Sequence, residues 1–141
     1  MATITVTHLA AEKFRIETRD HVVLVDQHGD DGTEIGPTPV ELLVMALSGC
    51  AAHYAVGHLR AQGAPVDGLV VRGRWSMRAG PTRVGRVALT VVAPARLTAE
   101  QQDGLLAAID HCTVHNTLRI PPLVEVQVAE PNAATTGGAA Q

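Results

Sequence analysis

Two cysteines are the residues of this 141-residue sequence that are best suited to chemistry. Cys50 is followed by His53, and Cys112 lies between His111 and His115, so each thiol has an imidazole about one helical turn away. A neighbouring imidazolium lowers the pKa of a thiol and supplies thiolate, which is the nucleophile. A thiolate that attacks the O–O bond of a hydroperoxide becomes a sulfenic acid, which a second thiol converts to a disulfide. The pair therefore indicates reduction of hydroperoxides by two cysteines.

Two other interpretations of these residues are open at the level of sequence. A free cysteine packs well as a small apolar side chain, so either thiol is consistent with a place in the core. Cys50, His53, Cys112 and His115 also offer the sulfur and nitrogen ligands that zinc prefers. Because two ligands three residues apart in a buried helix have little freedom to complete a tetrahedron, we expect no bound metal, and we expect no bound cofactor.

The composition argues against several other classes of protein. Eleven Lys and Arg against fourteen Asp and Glu give a net charge of −3, and aromatic residues make up 2% of the sequence. Such a chain has no basic stripe for a phosphate backbone and few rings on which bases could stack, so no nucleic-acid partner is expected. The sequence also contains neither a glycine-rich phosphate loop nor the nucleophile elbow of serine hydrolases.

The expected location is the cytoplasm, because the first residues lack the basic and apolar regions of a signal peptide. Thiols stay reduced in that compartment, so a purely structural disulfide is not expected. Residues 42–59 approach the lower limit of length for a membrane span. Because Ser48, His53 and His58 would be costly in lipid, we predict instead a helix buried in protein and no membrane partner.

Hydrophobic periodicity and capping signals predict an α+β domain. Thr38, Pro39 and Glu41 form a capping-box pattern, which starts a helix that runs to about Gln62. A second capping box begins at Thr98. Strands are predicted over residues 4–8, 14–18, 21–26, 66–77, 84–93 and 124–128, and a short third helix over 113–119. The order of three strands, helix, two strands, two helices and a final strand indicates a single domain over residues 1–130, followed by a disordered tail over 131–141.

The long helix that begins near Pro39 requires cover on more than one side. It is apolar almost all round from residue 42 to residue 56, which is typical of a helix in the middle of a molecule. One sheet of six strands covers only one side of such a helix. A second copy of the chain would cover the other side, so we predict a homodimer that buries this central helix.

The segments around both cysteines resemble those of the OsmC/Ohr family. Residues 36–43, which lead to Cys50, are similar to the start of the central helix in that family. Residues 111–118 resemble its second cysteine motif, Cys-Pro-x-Ser-Asn-x-Leu, with Thr113 in place of Pro, His115 in place of Ser, and Asn116 matching the Asn. The likeness extends in outline from about residue 10 to residue 129.

The resemblance implies an OsmC-like, intertwined homodimer with two active sites at the subunit interface. It also implies a thiol-dependent peroxidase that acts on small apolar organic hydroperoxides in oxidative-stress defence. Carried over to this sequence, Cys50 is the peroxidatic thiol and Cys112 is the resolving thiol. The implied reductant is an external dihydrolipoyl dithiol, carried by a lipoylated protein.

Members of the family also use a Glu at the start of the helix and an N-terminal Arg to hold the reactive thiolate. The Glu position falls on Val40 with Glu41 one place later, and Arg15 and Arg19 are the candidates for the arginine. About 13 Å of helix separates Glu41 from Cys50, and the two face opposite sides, so Glu41 would reach only a partner subunit's thiol. Its other expected role is to close the capping box.

Glu41, Arg19, His53, His115 and Asn116 are therefore the supporting residues expected around the two thiols. These departures from the family pattern motivate an alternative function. In that alternative, the dimer is a non-catalytic module that binds a small apolar or thiol-bearing molecule at its interface.

Overall fold

The computed structural model of the chain describes residues 2–29 and 32–131. Its elements, in chain order, are β1 (Thr5–Ala10), β2 (Lys13–Thr18), β3 (His21–Val25), α1 (Pro39–Ala61), β4 (Val70–Arg78), β5 (Arg83–Val92), α2 (Ala99–Asp110) and α3 (Thr113–Arg119). The predicted α+β class is confirmed. The tail predicted over 131–141 lies, beyond residue 131, outside the described residues.

Helix α1 starts where its capping signals predict. The amide of Glu41 donates to the Thr38 hydroxyl at 3.2 Å, and the amide of Thr38 donates to the Glu41 carboxylate at 2.7 Å. Pro39 occupies the first turn, where its missing N–H is no loss. Thr98 and Gln101 form the same reciprocal pair at the start of α2. Both predicted capping boxes are confirmed.

One face of α1 forms the core of the chain. This helix packs against α2, α3, β4 and β5, and its buried residues are Val44, Leu47, Ala51, Ala55 and Leu59. The tightest cluster is made by Ala55, Leu59 and Leu105, and around it pack Ala64, Val66, Leu69, Val91, Leu97 and Ile109. The opposite face of α1 has no cover in this chain, and Met45 on that face is 57% exposed.

By length and composition, α1 is also apolar enough to cross a membrane. It packs against two other helices and a pair of strands, as a core helix of a globular protein does.

The strands form two sheets rather than the one sheet of six strands that we expected. β1, β2 and β3 form an antiparallel meander in which Ile16 pairs with both Val6 and Val23. β4 and β5 form a separate antiparallel hairpin. Within each sheet, turns join strands that are consecutive in the sequence. The 23-residue helix α1 separates the two sheets along the chain. No described strand therefore joins one sheet to the other.

The final strand predicted over residues 124–128 does not form in this chain. Residues 121–131 carry no regular structure, although their apolar residues alternate, and Val126 and Val128 are 86% and 100% exposed. A strand needs a neighbour whose backbone accepts and donates hydrogen bonds. Because no described strand lies alongside this segment, the alternating pattern alone does not produce a strand.

The loop between β3 and α1 folds back on the end of β3. Asp26 is buried, and its carboxylate accepts hydrogen bonds from the amides of Gln27 and Ile35 at 2.8 and 3.2 Å. The amide of Asp26 donates to the carbonyl of Pro37 at 3.3 Å. These bonds fix the point at which the chain enters α1.

Candidate functional site

The fold brings together two thiols that are 62 residues apart in the sequence. Cys50 lies in the middle of α1, and Cys112 lies at the junction between α2 and α3. Both cysteines are free, and their side chains are hydrogen-bonded to each other. Contact between the two sulfurs is the geometric requirement for one thiol to capture an oxidised form of the other.

Cys50 is half-buried, and three donors surround its sulfur. Burial raises the pKa of the Cys50 thiol, but hydrogen bonds from the Cys112 thiol and from the backbone amides of Val114 and Thr113 outweigh it. The net result is a pKa below the ordinary value for cysteine. Because the donors favour the charged form, Cys50 is the thiol that supplies thiolate more readily.

Cys112 is fully buried, and its pKa moves in the opposite direction. Burial raises the pKa of this thiol most, and its hydrogen bond with Cys50 raises it further. The amides of His115 and Val114 act against these effects without overcoming them. Cys112 therefore stays protonated at a pH at which Cys50 has begun to ionise.

The amide donors come from the first turn of α3. Cys112 occupies the N-cap position of this helix. The amides of Thr113, Val114 and His115 therefore lack the partners that a helix interior would give them, and they point to the two sulfurs instead.

Two polar contacts hold α3 to its neighbours. The Tyr54 hydroxyl of α1 is hydrogen-bonded to the Thr113 hydroxyl, with 3.2 Å between the oxygens. The guanidinium of Arg119 donates through two nitrogens to the Asp110 carboxylate, which lies nine residues earlier at the end of α2. His115 lies near the same carboxylate, with Nδ1 3.9 Å from Oδ1. These contacts connect the elements that carry Cys50 and Cys112.

The predicted supporting residues near the cysteines have separate roles. His53 is exposed, and its ring meets the Tyr54 ring edge-on at 5.8 Å. The side-chain amide of Asn116 donates to the carbonyl of His111 at 3.3 Å, which braces the turn that contains Cys112. His115 contributes its backbone amide to Cys112 and its ring to Asp110.

Glu41 and Arg19 lie away from the thiol pair in this chain. The Glu41 carboxylate accepts from the Thr38 amide and lies 3.8 Å from His28 Nε2. Arg19 lies in the turn between β2 and β3, where it has the left-handed backbone angle φ of +51°. Their predicted assistance to a partner subunit's thiol stays a prediction.

A zinc site would require several ligand side chains that lie close together. In residues 2–29 and 32–131, no group of three or more His, Cys, Asp or Glu side chains is placed to hold a metal ion. His53 contacts Tyr54 and His115 contacts Asp110, so neither ring completes a set with the two sulfurs.

A groove of about 460 Å³ adjoins the elements that carry the thiols. Leu47 lies one turn before Cys50, and His115 follows Cys112 by three residues; both line this groove. Its other walls are Leu43, Val44, Val84, Gly85, Val87 and Leu118, with Arg83, Arg86 and Arg119 as its cations. Neither this groove nor a wider cleft of about 620 Å³, which includes His28, Glu41 and Trp75, is lined by a cysteine.

Three features of the site do not follow from the sequence pattern that we used. The amides of Thr113 and Val114, the Tyr54–Thr113 contact and the Asp110–Arg119 pair all depend on how α3 lies against α1 and α2. One of these features, the set of amides near the sulfurs, had a signal in the sequence. A cysteine directly before a predicted helix occupies the N-cap position, where free amides point back toward it.

Comparisons with known proteins agree with this arrangement. The family model described as OsmC-like protein matches residues 28–127. No curated protein sequence matches the chain.

Solved structures share the fold at low sequence identity. A Psychrobacter arcticus protein, provisionally assigned to osmotic stress and detoxification, is 20% identical with a TM-score of 0.75, over 83% of this chain and 88% of that one. An OsmC-like protein from Mycoplasma pneumoniae is 17% identical with a TM-score of 0.71, over 84% and 87%. The organic hydroperoxide resistance protein OhrB of Bacillus subtilis is 19% identical with a TM-score of 0.64, over 84% and 90%.

The solved structures share the fold described above, and the family model spans most of the described residues, including Cys50 and Cys112. The chain belongs to the OsmC-like family.

Proposed function

We propose that the chain is a two-cysteine peroxidase that reduces small apolar organic hydroperoxides. The observation that carries this proposal is the hydrogen-bonded pair of free thiols, in which the pKa of Cys50 is lowered and that of Cys112 is raised. The Cys50 thiol is therefore suited to attack the peroxide, and the Cys112 thiol is suited to react afterwards with the oxidised Cys50. The relatives named for organic hydroperoxide resistance add support at the level of fold.

The proposed catalytic cycle has three steps. The Cys50 thiolate attacks one oxygen of the hydroperoxide, the O–O bond breaks, and an alkoxide leaves that takes a proton to become the alcohol. The Cys112 sulfur then attacks the Cys50 sulfenic acid, which forms the disulfide and releases water. An external dithiol of the dihydrolipoyl type reduces the disulfide and is itself oxidised to a cyclic disulfide.

The groove beside the thiols favours an apolar substrate. Leu43, Leu47 and Leu118 provide the kind of surface that holds a hydrocarbon group. We expect the cytoplasm to be the place of action, because reduced thiols persist there.

We also propose that the working form is a homodimer. Large apolar residues are exposed on the three-stranded sheet, on the open face of α1 and in residues 120–128, among them Val6, Met45 and Val126. A set of this size is unusual for a monomeric soluble protein and is typical of a subunit interface. A second copy would cover these surfaces and give Glu41 and Arg19 access to a thiol that they do not reach in their own chain.

Peroxide-dependent loss of thiols tests the proposed activity. The wild-type protein should lose both free thiols on treatment with cumene hydroperoxide, and dihydrolipoamide should restore them. Cys50→Ser should reduce peroxide consumption to the uncatalysed rate. Cys112→Ser should still react once and accumulate a sulfenic acid that dimedone traps, because the resolving thiol is gone.

Two results would contradict the proposal: thiols that do not change with peroxide, or a Cys50→Ser variant as active as the wild type. The second candidate function is a non-catalytic module that binds a small apolar or thiol-bearing molecule. It is favoured by the engagement of Glu41 in the capping box rather than at a thiol. In that case, mass spectrometry of the native protein would find a co-purified molecule, and the protein would consume no peroxide.

A further inference from the structure

Tyr54 lies on the same side of α1 as Cys50. The two residues are four positions apart, and side chains with that spacing are neighbours on a helix surface. Tyr54 is half-buried, and the ring of His53 packs edge-on against it at 5.8 Å. Its hydroxyl reaches α3, where it is hydrogen-bonded to Thr113 Oγ1 at 3.2 Å. Tyr54 therefore joins the helix of one thiol to the helix that follows the other.

Thr113 occupies a sensitive position on the other side of this contact. It is the first residue of α3 and directly follows Cys112. Its backbone amide is one of the donors to the Cys50 sulfur, and its carbonyl accepts from the Thr117 hydroxyl at 2.8 Å. A movement of the Thr113 side chain would therefore move an amide that holds the thiolate.

We propose that Tyr54 is a positioning residue, whose hydroxyl holds Thr113 so that the first amides of α3 stay directed at the Cys50 sulfur. This contact involves no sulfur atom. Oxidation of Cys50 therefore does not itself remove this contact, whereas it does remove the hydrogen bond between the two thiols. The catalytic meaning of this role rests on the proposed peroxidase function, whereas the positioning itself does not.

The alternative role for Tyr54 is packing alone. Removal of the hydroxyl separates the two roles, because Tyr54→Phe keeps the ring and its contact with His53. Thr113→Val removes the other half of the same bond and keeps the backbone amide. Thr90→Val is the matched control, because it makes the same substitution at an exposed position of β5, outside α3.

The test measures the pH at which Cys50 is half-maximally alkylated by iodoacetamide, in the folded protein and without peroxide. The modified peptide is identified by mass spectrometry, so that Cys50 and Cys112 are followed separately. We expect Tyr54→Phe and Thr113→Val each to raise this midpoint by about half a pH unit, which lowers the alkylation rate at pH 7 about threefold. The double variant should shift no further than either single variant, because both remove one bond. Thr90→Val should leave the midpoint unchanged.

The inference is overturned if folded Tyr54→Phe alkylates with the wild-type midpoint, or if the shifts of the two single variants add. Circular dichroism and thermal unfolding identify any variant that fails to fold, and in that case Thr113→Ala, which also lacks the hydroxyl, provides the second variant. Thr113→Ser is the conservative variant: it keeps the hydroxyl and should retain the wild-type midpoint, whereas Thr113→Ala removes the hydroxyl and should show the same shift as Thr113→Val. Peroxide consumption is measured separately. Midpoints that shift as expected in a protein that consumes no peroxide would sustain the positioning role and refute the peroxidase.

Discussion

At the scale of single residues, the two thiols differ in burial and in the donors around them. Cys50 is half-buried and accepts hydrogen bonds from Thr113, Val114 and Cys112, whereas Cys112 is fully buried. None of the three imidazoles expected to activate the thiols, those of His53, His111 and His115, is among the groups that shift the pKa of either thiol. His53 lies against Tyr54, and His115 acts on Cys112 through its backbone amide. Backbone amides therefore favour the Cys50 thiolate, which is the role that we expected for imidazole from the sequence.

The different surroundings of the two thiols determine the order in which they ionise. As the pH rises, Cys50 should become reactive first, because its pKa is lowered, and Cys112 should follow at higher pH, because its pKa is raised. Alkylation of each cysteine as a function of pH, followed by peptide mass spectrometry, measures both midpoints. Restricted access lowers the rate at every pH, whereas a shifted pKa moves the midpoint, so the two effects are separable. Earlier ionisation of Cys112 would contradict the assigned roles.

At the scale of elements, the entry of the chain into α1 is tightly packed. Gly36 lies against the end of β3, and a Cβ at this position would be 2.7 Å from the carbonyl carbon of Leu24. The neighbouring capping box and the buried Asp26 fix the same region. Because this backbone has no room to move away, the glycine is required here by close approach.

We therefore expect Gly36→Ala to lower the free energy of unfolding by about 1–3 kcal/mol, as overpacking does. Urea unfolding followed by circular dichroism measures the change. Gly57→Ala is the control, because a Cβ at that helical position meets nothing within 4 Å in the chain and alanine favours a helix by up to about 1 kcal/mol. Equal stability of Gly36→Ala and wild type would show that the loop can shift.

At the scale of the whole molecule, the chain leaves much of its apolar surface uncovered. The meander β1–β3 packs mainly within itself, one face of α1 is open, and residues 121–131 extend without a partner strand. In residues 124–128 the apolar side chains alternate with Glu125 and Gln127, which is the pattern of a strand with one buried face. The pattern and the lack of a neighbour in the chain both point to a second copy.

We expect wild-type protein to elute as a dimer at micromolar concentration in size-exclusion chromatography with light scattering. Val126→Asp should weaken the dimer, because it places a charge on the apolar side of residues 124–128. Gln127→Asp introduces the same charge on the other side and should leave the dimer intact. A wild-type protein that is monomeric at every concentration would contradict the proposed assembly.

The sequence by itself determined the features that depend on local chemistry. The two capping boxes, the alternation in β1, β2 and β5 and the apolar length of α1 were all readable, because turn, helix and strand preferences act over a few residues. The resemblance of both cysteine segments to one family also required only the order of residues.

Only the tertiary structure decided what acts between distant segments. It placed Cys50 and Cys112 in contact, directed the amides of α3 at the Cys50 sulfur, and joined Tyr54 to Thr113. It also divided the strands into two sheets and left residues 124–128 without a neighbour. Such outcomes follow from which surfaces meet across the chain, and local preferences carry no information about the partner that a strand or a sulfur will find.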